Sequence, residues 1–298
     1  MSQPISGSTA LAGVLGDPVR HSLSPAMHNA ALAELGLNWV YLAVPTRADQ
    51  LAVVLQGLEA IDCRGLNVTL PHKQAVAGLC RSLSPLAQRV GAVNTLVRHQ
   101  QGGWLGENTD VEGFLAPLRS TEQNWQGRRA VVLGCGGSAR AVVAALVELG
   151  CSSIAMAGRS SDRLAALLAT CQSWAPQLRE LEWAEGSTAL AEALALADLV
   201  VNTTPVGMAA AGNPDAARHC PLSPGELEAL QPGSTVYDLI YTPRPTALLL
   251  AASQRGCRAL DGLEMLVQQG AASLRRWSGL EQVPVAAMRA AALAQLGP

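Results

Sequence analysis

The sequence predicts an α/β protein of two domains, and three observations carry that reading. Apolar runs alternate with segments of helical period almost from end to end, so sheets must lie covered by helices on both faces. At 298 residues the chain is long enough for two domains with substantial cores. Near its middle, Ala130-Val131-Val132-Leu133 breaks into Gly134-Cys135-Gly136-Gly137-Ser138-Ala139 and resumes with helical spacing over 141–149, the pattern of strand, tight turn and helix.

Composition excludes several classes of partner. With 49% apolar residues and a formal net charge of -2, nothing suggests disorder or a polyanion. Aromatic residues are 3% and the basic ones are scattered singly or in pairs, so the grooves and stacking platforms of nucleic-acid binders are missing. The seven cysteines, Cys63, Cys80, Cys135, Cys151, Cys171, Cys220 and Cys257, are odd in number and form no C-x-x-C pair, so they read as reduced thiols and not as zinc ligands. Residues 1–10 are polar, and no uncharged apolar run reaches membrane-spanning length. The expectation is a soluble cytoplasmic protein, monomer or homodimer, with a small-molecule partner and without metal, membrane or nucleic acid.

The elements follow in order. Residues 11–15 are the first strand, stopped by Gly16-Asp17-Pro18. Ser24 as N-cap and Pro25 in the first turn open a helix that Gly36 closes. A strand at 39–44, a helix at 48–59 and a strand at 65–70 come next, the last running into Pro71-His72-Lys73. Strands at 93–98 and 104–106, parted by a polar, glycine-containing stretch, form a hairpin. A helical segment from Asp110 to Leu118 leads into polar 120–129, where the chain crosses between domains. The second domain repeats βα: a strand from Ala130, strands at 153–157, near Leu181, at 199–202 and at 235–241, and helices from Asp162 and Thr188. Ser223-Pro224-Gly225-Glu226 is a capping box, and the chain from Gly262 onward is helical and returns to the first domain. Such a return places the active site in the cleft between the two domains.

Gly134, Gly136 and Ala139 fit the G-x-G-x-x-G/A dinucleotide fingerprint. The first glycine makes the turn, the second lets a pyrophosphate approach the backbone, and the third position packs helix on strand. Free N–H groups at the helix N-terminus then face the phosphates. The second domain is accordingly of Rossmann type. About 20 residues further on, where a carboxylate would bind the ribose of NAD, the chain reads Ala157-Gly158-Arg159-Ser160. An arginine cannot accept a hydrogen bond from that hydroxyl, but its planar fork suits a 2′-phosphate, which favours NADP over NAD. Ser160 to Asp162 also suit a helix cap, and Arg163 shares either role.

Of 21 Lys and Arg residues only Lys73 is a lysine. Lysine is the cation whose pKa burial or a neighbouring charge can move, as proton transfer requires, whereas arginine stays protonated. Asn67 and Thr69 precede it on one face of a strand by the period of two. Asn94 and Asp110 lie near the edges of other predicted strands. Amides, hydroxyls, one amine and one carboxylate suit a small polyhydroxylated substrate.

These residues resemble the shikimate dehydrogenase family over nearly the whole chain. Gly16-Asp17-Pro18-Val19-Arg20-His21-Ser22-Leu23-Ser24-Pro25-Ala26-Met27-His28-Asn29 resembles its N-terminal substrate motif, and Asn67-Val68-Thr69-Leu70-Pro71-His72-Lys73 its catalytic motif. Similar matches run through 91–95, Asn108-Thr109-Asp110, the glycine turn, 202–208, Tyr237-Asp238-Leu239-Ile240-Tyr241 and 262–269. The resemblance implies a substrate-binding and catalytic domain at 1–110, αβα with a mixed, mostly parallel sheet and completed by 262–298. An NADP-binding domain occupies 111–261. It implies reversible, NADP-dependent reduction of 3-dehydroshikimate to shikimate on the route to chorismate and the aromatic amino acids, with Lys73 and Asp110 as the catalytic pair.

The same resemblance implies that Ser22 and Ser24 bind the substrate carboxylate and that Asn67, Thr69, Lys73, Asn94, Asp110 and Gln269 surround its hydroxyls, with Tyr241 as a further substrate-side residue. Gly134, Gly136, Gly137, Ser138 and Ala139 would hold the pyrophosphate, Arg159 and Ser160 the 2′-phosphate, and Met208 and Gly262 would lie by the nicotinamide. Many relatives have Asn-Arg-Thr where this chain has Gly158-Arg159-Ser160, so one amide contact to the 2′-phosphate is lost. Ser24 doubles as the expected helix cap, Asn94 also suits a strand-end turn, and Gln269 an exposed helix position. His21, His28 and His72 read as local hydrogen-bonding or cleft-rim groups. Quinate or dual quinate/shikimate dehydrogenases that use NAD look similar throughout, but paired Ser22/Ser24 and Arg159 lean away from them. A non-catalytic metabolite sensor on this fold would have no use for an intact Lys73 and Asp110.

Overall fold

Two six-stranded sheets, one in each of two units, account for the alternating pattern. The computed structural model describes residues 4–184, 186–209 and 213–297. One unit comprises Met1–Pro117 with Glu264–Pro298, the other Leu118–Leu263.

In the first unit, β1 (Ala10–Gly16), α1 (Ser24–Glu34), β2 (Trp39–Pro45), α2 (Leu51–Ala60) and β3 (Gly65–Val68) follow one another, with a 3-10 turn at Ala48–Gln50 opening α2. A second 3-10 turn (Ala75–Leu79), β4 (Ser82–Leu83) and α3 (Pro85–Val90) lead to β5 (Thr95–Arg98), β6 (Trp104–Glu107) and α4 (Asp110–Arg119). The sheet order is β2-β1-β3-β5-β6-β4. β1 pairs in parallel with β2 and β3, and β4 with β6, while β5 is antiparallel to both β3 and β6. Leu15, Leu55, Leu66, Val68, Leu96 and Trp104 form the core beneath it.

The second unit is β7 (Arg129–Leu133), α5 (Gly137–Glu148), β8 (Ser153–Ala157), α6 (Ser161–Cys171), β9 (Leu178–Leu181), α7 (Ala189–Leu194), β10 (Leu199–Asn202), α8 (Pro224–Glu228), β11 (Thr235–Asp238), α9 (Ala247–Gln254) and β12 (Arg258–Leu260). All its strands are parallel, in the order β12-β11-β10-β7-β8-β9. That is the doubly wound order of dinucleotide-binding sheets, and its direction reverses between β7 and β10, where the crevice at the strands' carboxyl ends accepts a ligand. Two last helices, α10 (Leu263–Ser278) and α11 (Val285–Leu296), rejoin the first unit, with α11 packed on α1 and Trp277 Nε1 donating to the Leu96 carbonyl at 3.0 Å.

The two-domain α/β reading and the return of the C-terminal helices hold, and several boundaries move. The division falls at 117/118 and 263/264 rather than 110/111 and 261/262, because α4 continues from Asp110 with Val111, Phe114 and Leu115 buried. Ser24 is not the cap of α1 but its first residue: Leu23 holds the cap position, and the free Ser24 N–H is taken by the Ser22 hydroxyl at 3.2 Å. β3 ends two residues early, although Thr69 N–H still reaches the Leu15 carbonyl at 2.9 Å. β11 ends at Asp238, whose carboxylate captures the Ile240 N–H at 3.1 Å. Among the described residues no helix is long and apolar enough to cross a membrane.

Candidate active site

Beyond β3 the chain turns through Thr69 to His72, closed by His72 N–H on the Thr69 carbonyl at 2.9 Å. The buried His72 ring donates from Nε2 to the Thr46 carbonyl at 2.6 Å, fastening this turn to the end of β2. Lys73 follows, its own carbonyl held by Val93 N–H at 2.7 Å. Its Nζ donates to Asp110 Oδ2 at 2.7 Å, and the two side chains are 11% and 5% exposed. The first turn of α4 thus brings a carboxylate to the one lysine of the chain.

Two amides brace this pair, and backbone groups fix which way each points. Thr109 N–H donates to Asn94 Oδ1 at 2.7 Å, so the other end of Asn94 is its NH2, which donates to Asp110 Oδ1 at 2.8 Å. The same NH2 lies 2.9 Å from Thr109 Oγ1 and 3.3 Å from Gln269 Oε1. Asn67 Nδ2 donates to the Asn94 carbonyl at 3.2 Å and to Ser273 Oγ at 2.9 Å, and Asn67 Oδ1 accepts from the Tyr41 hydroxyl at 2.7 Å. The structure joins Lys73, Asp110, Asn94, Gln269 and Asn67 in one network.

Sequence reasoning missed four members of that network. Thr95, Thr109 and Ser273 are fully buried, with hydroxyl separations of 3.1 Å for 95–109, 2.8 Å for 95–273 and 3.2 Å for 109–273. Ser273 lies one helical turn after Gln269 and donates to its carbonyl at 3.0 Å, a spacing that could have found it. Tyr41, in the middle of β2, carried no such signal.

Ser24 is buried, with its hydroxyl facing the Tyr41 phenol, while Ser22 is half-buried beside it and Thr69 half-buried just past β3. His28 departs from its expected local hydrogen bond: it is fully buried, neither ring nitrogen has a partner, and it stacks on Tyr41 at 4.2 Å and 11°. Desolvation holds its pKa down at about 3, against a small opposing pull from the Asn67 amide. The folded ring thus stays neutral, whereas the unfolded chain takes up a proton near the ordinary value of 6.5. Stability contributed this way is complete above pH 6.5 and is lost as pH falls toward 3. Between pH 7 and 5, urea unfolding of the wild type is expected to lose about 2 kcal/mol more than that of His28→Phe. Parallel losses would assign the acid sensitivity to other groups.

In the second unit, Gly134 adopts φ +103, and a Cβ there would stand 2.6 Å from Thr203 Oγ1, so only glycine makes this turn. Gly136 is the N-cap of α5, and Gly137, Ser138 and the buried Ala139 form its first turn, presenting free N–H groups to an anion. Arg159 is exposed and lines a cavity of about 570 Å³ with Trp183, Thr188, Val206, Ser223 and Glu226. Ser160 is the N-cap of α6 without a side-chain cap bond. Of the expected cofactor residues, Arg159 alone lines that cavity, and the free N–H groups of the glycine turn suit a phosphate. Met208, 38% exposed, follows the β10 loop. At Gly262 a Cβ would stand 2.0 Å from the Leu239 carbonyl oxygen, which alone explains that glycine. Tyr241 is half-buried past β11, and burial raises its phenol pKa. These residues form a second group, in their own unit. Among the described residues no group of three or more His, Cys, Asp or Glu side chains could hold a metal.

Both stretches of the chain that match family models lie almost wholly in the first unit. Residues 14–96 match the family model for the shikimate dehydrogenase substrate binding domain, and residues 262–293 that for the shikimate 5'-dehydrogenase C-terminal domain. The chain is 49% identical over 300 residues to the shikimate dehydrogenase (NADP(+)) of Synechococcus sp. (strain JA-3-3Ab), covering 100% of this chain and 99% of the relative. It is similar to the crystal structure of shikimate 5-dehydrogenase from Thermus thermophilus in complex with NADP(H) and shikimate, with TM-score 0.83, 36% identity and coverage of 96% and 100% of the two chains. It is also similar to quinate dehydrogenase from Corynebacterium glutamicum in complex with NAD, with TM-score 0.85, 32% identity and coverage of 96% and 99%.

Proposed function

The chain belongs to the shikimate dehydrogenase family, and from that membership we propose that it interconverts 3-dehydroshikimate and shikimate with NADP(H) as redox partner. It is an oxidoreductase of class EC 1.1.1.25, at work in aromatic amino acid biosynthesis. The observation that carries the proposal is the nearly buried Lys73–Asp110 contact of 2.7 Å, braced by Asn94 on the other carboxylate oxygen.

When bound by the glycine turn, the first turn of α5, Arg159 and Ser160, NADP(H) supplies or accepts the hydride. The chain's own task is to hold the substrate and manage one proton. In the reducing direction Lys73 Nζ donates to the oxygen that becomes a hydroxyl, and in the oxidising direction it takes that proton back. Asp110 aims the amine through its Oδ2, and the Asn94 NH2 fixes the carboxylate through Oδ1, so the amine approaches the substrate along one line. Ser22 and Ser24 bind the substrate carboxylate, while Asn67, Thr69, Asn94 and Gln269 take its hydroxyls, with Tyr241 as a further substrate-side residue. Met208 and Gly262 line the nicotinamide end.

The test is formation of reduced nicotinamide by the purified protein with shikimate or quinate and with NADP or NAD, in all four combinations. Turnover with shikimate and NADP above the other three is expected. Turnover dominated by quinate with NAD would overturn the substrate and cofactor assignment. Tight shikimate binding without any turnover would overturn catalysis itself.

A further inference from the structure

The second unit holds a buried carboxylate that the proposed chemistry does not use. Asp238, at the end of β11, is fully buried and surrounded by donors: Asn202 Nδ2 and Ile240 N–H on Oδ1 at 3.0 and 3.1 Å, and the Thr246 hydroxyl on Oδ2 at 2.7 Å. Ile240 and Thr246 bound the loop between β11 and α9. Asn202 ends β10, and its Oδ1 accepts from both the backbone N–H and the hydroxyl of Thr204, at 3.0 and 2.7 Å. The Thr204 hydroxyl in turn accepts from Val206 N–H at 3.2 Å. Asp238 is thereby wired through Asn202 and Thr204 into the loop that follows β10.

That loop stands against the glycine turn. Thr203 donates to the Leu133 carbonyl from its N–H and from its hydroxyl, both at 2.8 Å, and Thr203 and Thr204 fill the space where Gly134 would carry a Cβ. The two loops meet again where Ala209 N–H donates to the Thr242 carbonyl at 2.9 Å. All this lies at the carboxyl ends of β7, β10 and β11, around the reversal of strand order.

We propose that Asp238 is a positioning residue for cofactor binding, tying the 203–209 and 240–246 loops into the wall that faces the glycine turn. The inference rests on the reading of this unit as the NADP-binding one. An apolar side chain there would avoid the cost of burying a charge but would leave three buried donors without a partner. Three hydrogen bonds do not offset that cost, and burial pushes the Asp238 carboxyl up to about 6. What an apolar replacement could not do is take three donors from two loops and fix their relative register.

The test compares Asp238→Ala and Asp238→Asn in steady-state kinetics and in NADPH titration followed by fluorescence. Asp238→Ala is expected to raise the KM for NADP and the Kd for NADPH about tenfold or more, the worth of a charge-assisted hydrogen bond, with a smaller rise in the KM for shikimate, because Tyr241 is the one proposed substrate-side residue on these loops. Asp238→Asn keeps the Oδ1 acceptor and turns an NH2 toward the Thr246 oxygen, so it restores NADPH binding to within about threefold. Should Asp238→Ala fail to fold, Thr204→Val cuts the relay at its far end and carries the same expectation in direction. Unchanged NADPH affinity in a less stable Asp238→Ala, or equal rises in both KM values, overturns the inference. A wild-type protein that does not bind NADPH overturns the cofactor reading, and this inference with it.

Discussion

Replacing Lys73 by alanine is expected to lower kcat about a thousandfold, the usual worth of a positioned general acid–base, and to leave the KM for shikimate within a few fold. Lys73 is the only lysine in the chain, and its amine is held by Asp110 at 2.7 Å in a nearly buried setting. Once it is removed, no other amine is at hand to take its place. Lys73→Arg should not rescue turnover, because a guanidinium stays charged through the cycle and presents a planar fork instead of a point donor. Ser22→Ala should show the opposite split, with KM for shikimate raised about tenfold and kcat little changed, since the role proposed for its hydroxyl is to bind a carboxylate that takes no part in the chemistry. If steady-state kinetics returned the reverse pattern, with Lys73→Ala losing affinity and Ser22→Ala losing turnover, both roles would be wrong.

Arg159→Ala is expected to weaken NADP about thirtyfold or more while leaving NAD within about threefold. A guanidinium facing a phosphate makes paired, charge-assisted hydrogen bonds, and the 2′-hydroxyl of NAD offers no anion to pair with. Arg159 is exposed at the rim of the 570 Å³ cavity, where it is free to meet such a group. The residue before it, Gly158, has no side chain to offer; a Cβ there would stand 3.2 Å from the Cys135 thiol, which would have to shift by a few tenths of an ångström to admit one. The proposed 2′-phosphate contact therefore rests on Arg159 and Ser160 alone. Equal losses for both dinucleotides would place Arg159 elsewhere.

Much of the architecture was legible because it is periodic. Alternating apolar runs marked the sheets, a polar glycine-containing break marked the β5–β6 hairpin, and the fingerprint marked β7 and α5. Short elements were not: β4 has two residues and β12 three, too few to show a period, and α9 is too uniformly apolar to show a face. The Ser24 assignment failed on local geometry, since either serine of the Ser22-Leu23-Ser24 stretch can take a free N–H and the structure uses Ser22. In the candidate site, Lys73 stood out by count alone. Asn94 and Asp110 joined it by their place at predicted strand edges, Gln269 needed the resemblance, and the structure links the three through the Asn94 amide. The cluster of Thr95, Thr109 and Ser273 depends on three elements meeting across 178 and 164 residues of separation, and hydroxyls carry no sequence pattern that announces such a meeting.

The first unit is built from two stretches parted by the whole of the second. On a ribosome this means that β1–β6 and α1–α4 emerge long before α10, which brings Gln269, Ser273 and Trp277. Until then the Asn67 amide and the Thr95 and Thr109 hydroxyls wait without the partner that Ser273 provides, while the second unit, uninterrupted in the chain, already has every strand it needs. The unit whose translation begins first is thus completed only after the second has been made, and the network around Lys73 waits for a helix that follows it.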